Sequence, residues 1–286
     1  MIVVTGATGN IGRPLVAALV AAGEQVRAVS RNPVTDELPD SVDHLAADLA
    51  EPGSMSRAVD GADALFLLVA GELANGSGDP ARVLRAAEAG GVRRVVLVSS
   101  QIVGTRPDGT SHAGLRAFEA AVRACGLPWT ILRPSGLASN AYGWIDGVRA
   151  SRTVAAPFGD VALPVVDPAD VSAVAAAALR EDGHAGRTYE VTGPAPISPR
   201  EQAVALGAAI GTELRFVELT REQARSEMAR FMPADVADGT LALLGDPLPS
   251  ERRVSPDAER VLGRAPGDFA GWAARHAAPF GARTAG

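Results

Sequence analysis

Gly6, Gly9 and Gly12 recur at three-residue spacing directly after an apolar run, Met1 to Val4, and at the opening of a helical pattern that starts at Ile11. Glycines placed this way between a strand and a helix build a phosphate-binding turn. Gly6 lets the backbone turn sharply, Gly9 removes a Cβ where a pyrophosphate must approach, and Gly12 lets the helix pack closely on the strand. Thr8, Asn10 and Ile11 belong to the same loop, where the free N–H groups of the helix face the anion. A second strand, Gln25 to Ser30, follows within about thirty residues, as in a dinucleotide-binding βαβ unit. Where a unit built for NAD carries an acidic residue for the ribose hydroxyls, this chain has Arg31. A guanidinium there can pair bidentately with a 2′-phosphate, so the expected cofactor is NADPH.

Several segments together carry a resemblance: GATGNIG from Gly6, VSRNP around Arg31, AADL ending at Leu49, LVSS ending at Ser100, and GLPWTILRPSGLASN from Gly126 to Asn140. Over its whole length the chain resembles the atypical short-chain dehydrogenase/reductase family, in its NmrA-like branch. The resemblance implies an extended Rossmann domain with a small C-terminal lobe over the nicotinamide. It also implies that Asp48 and Leu49 lie by the adenine, that Val69, Ala70 and Gly71 run along the dinucleotide, and that Pro134 and Ser135 border the nicotinamide ring.

Enzymes of that superfamily commonly use a Tyr-x3-Lys pair, in which the lysine lowers the tyrosine pKa and the hydroxyl passes a proton to the carbonyl oxygen. This chain has no lysine; all 27 residues in its Lys-plus-Arg count are arginines. Counting back from Gly126, the tyrosine position falls on Ser111 and the lysine position on Leu115, and neither can do that work. One residue further on, His112 and Arg116 stand one helical turn apart. That imidazole could donate a proton and that guanidinium could bind ribose. Tyr142, after the sixth strand, could reach a substrate, and Ser99 and Ser100, ending the fifth, could orient a carbonyl.

Two readings of the missing pair differ in class. In the first the protein is an NADPH-dependent reductase whose substrate, or a bound water, supplies the proton. In the second it binds NADP(H) without turnover and reports cofactor state, as regulators of the NmrA-like branch do. The first is the expectation, with a quinone or polycyclic aromatic ketone as substrate. Such flat molecules carry their own phenols and can stack on Tyr142, Trp144, Phe158 and Phe231, with Met228 and Met232 alongside, although these six side chains could equally form a core of their own.

The remaining sequence must position these groups. With 286 residues and 47% apolar content the chain can bury a large core. Strands are expected at Val42 to Ala47, Ala64 to Val69, Val95 to Ser99 and Trp129 to Arg133, with helices at Gly53 to Val59, Pro80 to Ala89 and His112 to Ala124 between them. The first helix should turn Ile11, Leu15, Ala18, Leu19 and Ala22 inward. The pattern predicts an α/β fold, a Rossmann-type doubly wound parallel sheet with a smaller C-terminal α/β substrate lobe. Residues 1–134 form the NADP-binding core, and 135–286 contribute late Rossmann elements and the lobe. The Gly- and Pro-rich stretch from Pro134 to Pro164 reads as a substrate-covering loop. Asp167 should cap a helix opened by Pro168, and Thr220 with Gln223 forms a capping box. The strand Thr188 to Thr192, the helix Pro199 to Ile210 and the strand Leu214 to Leu219 suit the lobe.

No basic, apolar leader precedes the first strand, so a cytoplasmic location is expected. The longest apolar helical run, Val171 to Leu179, is closed by Asp170 and Arg180 and is about half a membrane span, so no membrane is expected. The net charge of −6 argues against nucleic acid as a partner. A single cysteine, Cys125, permits no internal disulfide and reads as an inert thiol, and the four scattered histidines give no metal-ligand spacing.

Overall fold

In the computed structural model, which describes residues 1–31, 38–49, 51, 53–69, 73, 76 and 78–281, strand and helix alternate from the first residues. Strand β1 (Ile2–Thr5) leads to α1 (Gly12–Ala21), β2 (Val26–Ser30), β3 (Asp43–Ala46), α2 (Ser54–Val59), β4 (Ala64–Leu68), α3 (Pro80–Ala89) and β5 (Arg94–Val98). Next come α4 (Gln101–Thr105), α5 (Ala113–Ala124), β6 (Trp129–Pro134), a 3-10 helix over Ala138–Trp144, α6 (Ile145–Ser151), β7 (Thr153–Pro157), α7 (Pro168–Arg180) and β8 (Arg187–Val191). After these follow α8 (Pro199–Ile210), β9 (Arg215–Leu219), α9 (Arg221–Met228), α10 (Ala234–Gly245), α11 (Pro249–Arg252), α12 (Asp257–Leu262), α13 (Phe269–Arg275) and a 3-10 turn over Ala278–Phe280.

Seven strands form one parallel sheet in the order β3-β2-β1-β4-β5-β6-β8. A strand buried on both faces reads as a continuous apolar run, which is why β4 (ALFLL) and β5 (RVVLV) show no polar alternation. Successive side chains still go to opposite faces. Val3, Leu65, Leu67, Val95 and Leu97 join Phe118 and Val122 in one core, while Ile2, Val4, Phe66, Val96 and Val98 join Leu15, Leu19, Val171 and Val174 in the other. The strand order reverses between β1 and β4, and a crevice opens at such a switch point beyond the carboxyl ends of the strands. Thr5 fixes that point: its hydroxyl lies 3.1 Å from Phe66 O and 3.2 Å from Leu68 O as donor, and accepts from Leu68 N at 2.8 Å.

Strands β7 and β9 form a separate two-stranded parallel sheet. Around it Val154, Leu206, Ile210, Phe269, Trp272 and Phe280 make a third core, with Tyr142 and Trp144 packed against it. The expected caps are present. Asp167 accepts from Ala169 N at 2.8 Å, and Thr220 and Gln223 bond reciprocally at 2.8 and 3.2 Å.

Four expectations need correction. The strand at 188–192 is β8, which lies beside β6 in the main sheet and does not belong to the lobe. The supposed loop after Pro134 holds a 3-10 helix, α6 and β7. Helix α1 buries Gly12, Leu15, Val16 and Leu19, leaving Ala18 and Ala22 exposed, because the larger valine takes the inward place. Helix α5 begins at Ala113, since His112 adopts a left-handed conformation at φ 62°.

Candidate active site

The glycine turn has the expected form. Gly6 sits at φ +63°, where a side chain is strained, and its carbonyl accepts from Gly9 N at 3.0 Å. Gly12 is buried beneath it; a Cβ at Gly12 would overlap Gly6 O and stand 2.7 Å from Ala7 Cα. A Cβ at Gly9 would meet only Gly6 O, at 3.3 Å, and Gly9 and Asn10 are exposed, so this face of the turn is open. Thr8 is half-buried, and its carbonyl accepts from Arg13 at 3.1 Å. Ile11 is buried, and its carbonyl accepts from the hydroxyl of Ser172 on α7 at 2.6 Å. A close-packed, open-faced turn at a helix start fits a dinucleotide pyrophosphate.

The other expected cofactor residues gather at the same edge of the sheet. Arg31 follows β2 and is exposed; beside it Ser30 Oγ lies 2.9 Å from His44 Nε2. Asp48 and Leu49 follow β3 half-buried, and Leu49 packs with buried Val69, past the end of β4, against the first core. Ala70 and Gly71 lie outside the described residues. Pro134 ends β6 buried. Ser135 follows it, but its hydroxyl is committed to Pro164 O and its N–H to Val191 O at 3.0 Å, so it ties segments together.

Because the sheet is parallel, the ends of β5 and β6 and the start of the intervening α5 all lie at this carboxyl edge. Ser99 is 6% exposed, and its hydroxyl has no hydrogen-bond partner of good geometry, though it lies near enough to Glu119 to help hold that carboxyl low. Ser100 precedes α4, half-buried. Ser111 is buried against α10, where a Cβ on Gly239 would stand 2.6 Å from its own Cβ. His112 holds its left-handed backbone at the α5 cap, a conformation costing about 1 kcal/mol or more. Burial pushes its imidazole pKa down, Arg116 adds to this, and Asp235 on α10 opposes it. The ring is therefore neutral at neutral pH.

Tyr142 is placed differently. Its ring packs among Trp272, His276 and Phe280 at centroid distances of 5.3, 6.2 and 5.9 Å. Burial and Asp167 push its phenol up while Arg13 pulls it down, so it stays a protonated donor. Of the other five expected pocket residues, Trp144 packs into the third core, the Phe158 ring sits against Gly245, Met228 and Met232 are half-buried, and Phe231 is 73% exposed. Cys125 ends α5 with its thiol donating to Val122 O at 3.0 Å.

Sequence reasoning passed over Glu119, Arg133, Gln101 and Ser139. Glu119, 2% exposed, accepts from Arg133 Nε at 2.8 Å, Arg133 Nη2 at 2.6 Å and Arg123 Nη1 at 2.8 Å. Burial pushes its pKa up, but the arginines outweigh that and hold it low. Gly104 makes room, since a Cβ there would run into the Arg133 guanidinium. Among the described residues the buried side-chain polar atoms without partners are Ser99 Oγ, Gln101 Nε2, His112 Nδ1, Arg116 Nη1 and Ser139 Oγ. All five belong to segments at the carboxyl edge beside β5 and β6; Ser99, His112 and Arg116 are readable as candidates from the sequence, whereas no local signal marks Gln101 or Ser139.

A cavity of about 530 Å³ opens at the opposite edge, lined by Met1, Asp63, Arg93, Arg94 and His184 among others, and none of the candidate residues borders it. The candidate residues gather at the carboxyl edge, away from that volume. Among the described residues no cluster of His, Cys, Asp or Glu could hold a metal ion, and no helix is long and apolar enough to cross a membrane.

Residues 6–182 match the family model described as NAD(P)H-binding. Across 98% of this chain and 99% of the relative, the sequence is 37% identical to the (4-alkanoyl-5-oxo-2,5-dihydrofuran-3-yl)methyl phosphate reductase of Streptomyces griseus. It is 32% identical to the NAD(P)H azoreductase of Xenophilus azovorans, covering 99% of this chain and 100% of that one. The fold matches the NADPH-dependent quinone oxidoreductase of Escherichia coli, solved with NADPH, at a TM-score of 0.78 and 22% identity, covering 96% and 99% of the two chains.

Proposed function

The chain belongs to the NAD(P)H-binding family of oxidoreductases, and from that premise we propose that it transfers hydride from NADPH to the carbonyl of a quinone or polycyclic aromatic ketone. The observation that carries this reading is the set of unpartnered buried atoms on Ser99, Gln101, His112, Arg116 and Ser139. A buried polar group without a partner costs about 1–3 kcal/mol, and a ligand whose atoms completed several of them at this one edge would recover that cost. The named relatives act on conjugated acceptors, a dihydrofuranone and azo compounds, which supports a flat, delocalised substrate.

When bound, the nicotinamide supplies the hydride. The chain's own residues orient and neutralise. Ser99 and Ser100 follow β5 where a carbonyl oxygen can accept their hydroxyls, and Ser111 and neutral His112 are able to relay a proton, each taking one from water as it gives up its own. Protonated Tyr142 is a further donor, on the side of α1. With no Tyr-x3-Lys pair, the substrate's own phenol or a water completes the transfer.

The test follows NADPH oxidation against quinones and hydroxylated polycyclic ketones, with simple ketones alongside. Faster reduction of hydroxylated aromatics is expected; faster reduction of simple ketones would overturn the substrate class. Ser111→Ala and His112→Ala are each expected to lower turnover by ~10²-fold if that residue carries the proton. Wild-type turnover in both would leave the substrate as proton source. Tight NADPH binding with no oxidation across the panel would favour the sensor reading.

Arg31 is the residue proposed to select NADPH. Arg31→Ala is expected to weaken NADPH binding by ~1–3 kcal/mol, the worth of a charged hydrogen-bond partner, and to leave NADH nearly unchanged. Calorimetric titration with both cofactors checks it, and equal losses would show that Arg31 does not touch the 2′-phosphate.

A further inference from the structure

We propose that the crevice takes an acceptor carrying an acidic group, a carboxylate, sulfonate or phosphate, whose oxyanion is bound by Arg116 beside His112 at the start of α5. The inference rests on the reductase reading and deepens it.

The other guanidiniums that turn inward near this edge are neutralised by carboxylates. Arg106 holds Glu251 through bonds of 2.8 and 2.9 Å, and Arg133 holds Glu119 through bonds of 2.8 and 2.6 Å. Arg116 differs. Its Nη2 donates only to the neutral carbonyls of Gly109 and Ser111, its Nη1 is buried with no partner, and no carboxylate among the described residues lies within ion-pair distance. Arg116 is half-buried, and an oxyanion that met its unpartnered Nη1 would gain a charge-assisted hydrogen bond that the two neutral carbonyls do not supply.

The surroundings add to this. Gly109 and Ser111 precede α5, so the guanidinium folds back over the first turn of its own helix. That helix is twelve residues long, has no acidic residue in its first turn and no side-chain cap, and therefore presents the positive end of its dipole at the same place. His112 Nδ1, also buried without a partner, is the second donor or acceptor available there. Asp235 faces His112 from α10 but is exposed to solvent, where its charge is screened.

The test compares a naphthoquinone with the same naphthoquinone bearing a sulfonate. Wild-type protein is expected to favour the sulfonate in kcat/KM on the order of ten- to a hundredfold, the range of a charged hydrogen bond. Arg116→Gln should erase that preference and Arg116→Lys should retain part of it. A second arm needs no turnover: NADP-loaded protein is titrated with naphthalene sulfonate and with a neutral naphthalene alcohol. If neither quinone is reduced yet the sulfonate binds tenfold or more tightly than the alcohol, through Arg116, the reductase reading fails and the anion site stands. Equal affinity for sulfonate and alcohol overturns the proposal. So does a loss of NADPH affinity in Arg116→Gln as large as the loss for sulfonate, which would assign the guanidinium to the cofactor.

Discussion

Gly12→Ala is expected to abolish tight NADPH binding and to destabilise the fold by ~1–3 kcal/mol or more, as overpacking against backbone does. The added Cβ would overlap Gly6 O and lie 2.7 Å from Ala7 Cα. Both are backbone atoms, and no rotamer change relieves them. Helix α1 must back away from the turn, and its first N–H groups then leave the pyrophosphate. An affinity loss of at least tenfold follows from losing one charged hydrogen bond. Gly9→Ala separates the two effects. Its Cβ meets only Gly6 O at 3.3 Å, and the residue is exposed, so the melting temperature should stay close to wild type while NADPH affinity falls. Thermal melts with calorimetric titration of both variants test this. A Gly9→Ala protein that binds NADPH as wild type does would show that the pyrophosphate does not cross Gly9.

The second large effect is expected at Glu119. Removing one partner of a buried ion pair leaves the other charge uncompensated, at a cost of ~3–5 kcal/mol. Glu119 has two guanidinium partners, and Arg133 is itself 19% exposed in its side chain, so Glu119→Ala strands a largely buried cation on β6. Urea denaturation of wild type and variant at neutral pH should show the loss. The pH dependence gives a signature. The folded carboxyl titrates below its ordinary value of 4.5, so its stabilisation is fully present above that value and disappears as the pH falls through the lower folded pKa. The stability gap between wild type and Glu119→Ala should therefore be widest near neutrality and close in acid. A gap that does not change with pH would mean that the variant loses packing and not charge pairing. Glu251, held low by Arg106, Leu248 N and Thr105 against the opposing effect of burial, adds to the acid sensitivity of the wild type in the same direction.

Much of this architecture was legible in the chain. Apolar runs such as IVVT and ALFLL are readable because strands buried on both faces must be apolar throughout. The glycine turn is readable because backbone approach and positive φ restrict the residue type at those positions, and the caps at Asp167 and Thr220 because a short side chain there satisfies helix N–H groups within three residues. Strand β8 was harder to place. Its pattern is half-exposed, and a parallel edge partner is chosen by contacts far away in sequence.

The Rossmann-type fold, the glycine turn, the absence of any lysine and the positions of most elements can thus be read from the chain alone, since each follows from local periodicity or from a single residue type. Tertiary structure alone decided that Glu119 answers Arg133, that α10 rests on Ser111, and that Arg116 is left with carbonyls for partners. A buried charge is defined by what reaches it, and those groups arrive from segments that only the folded chain brings together.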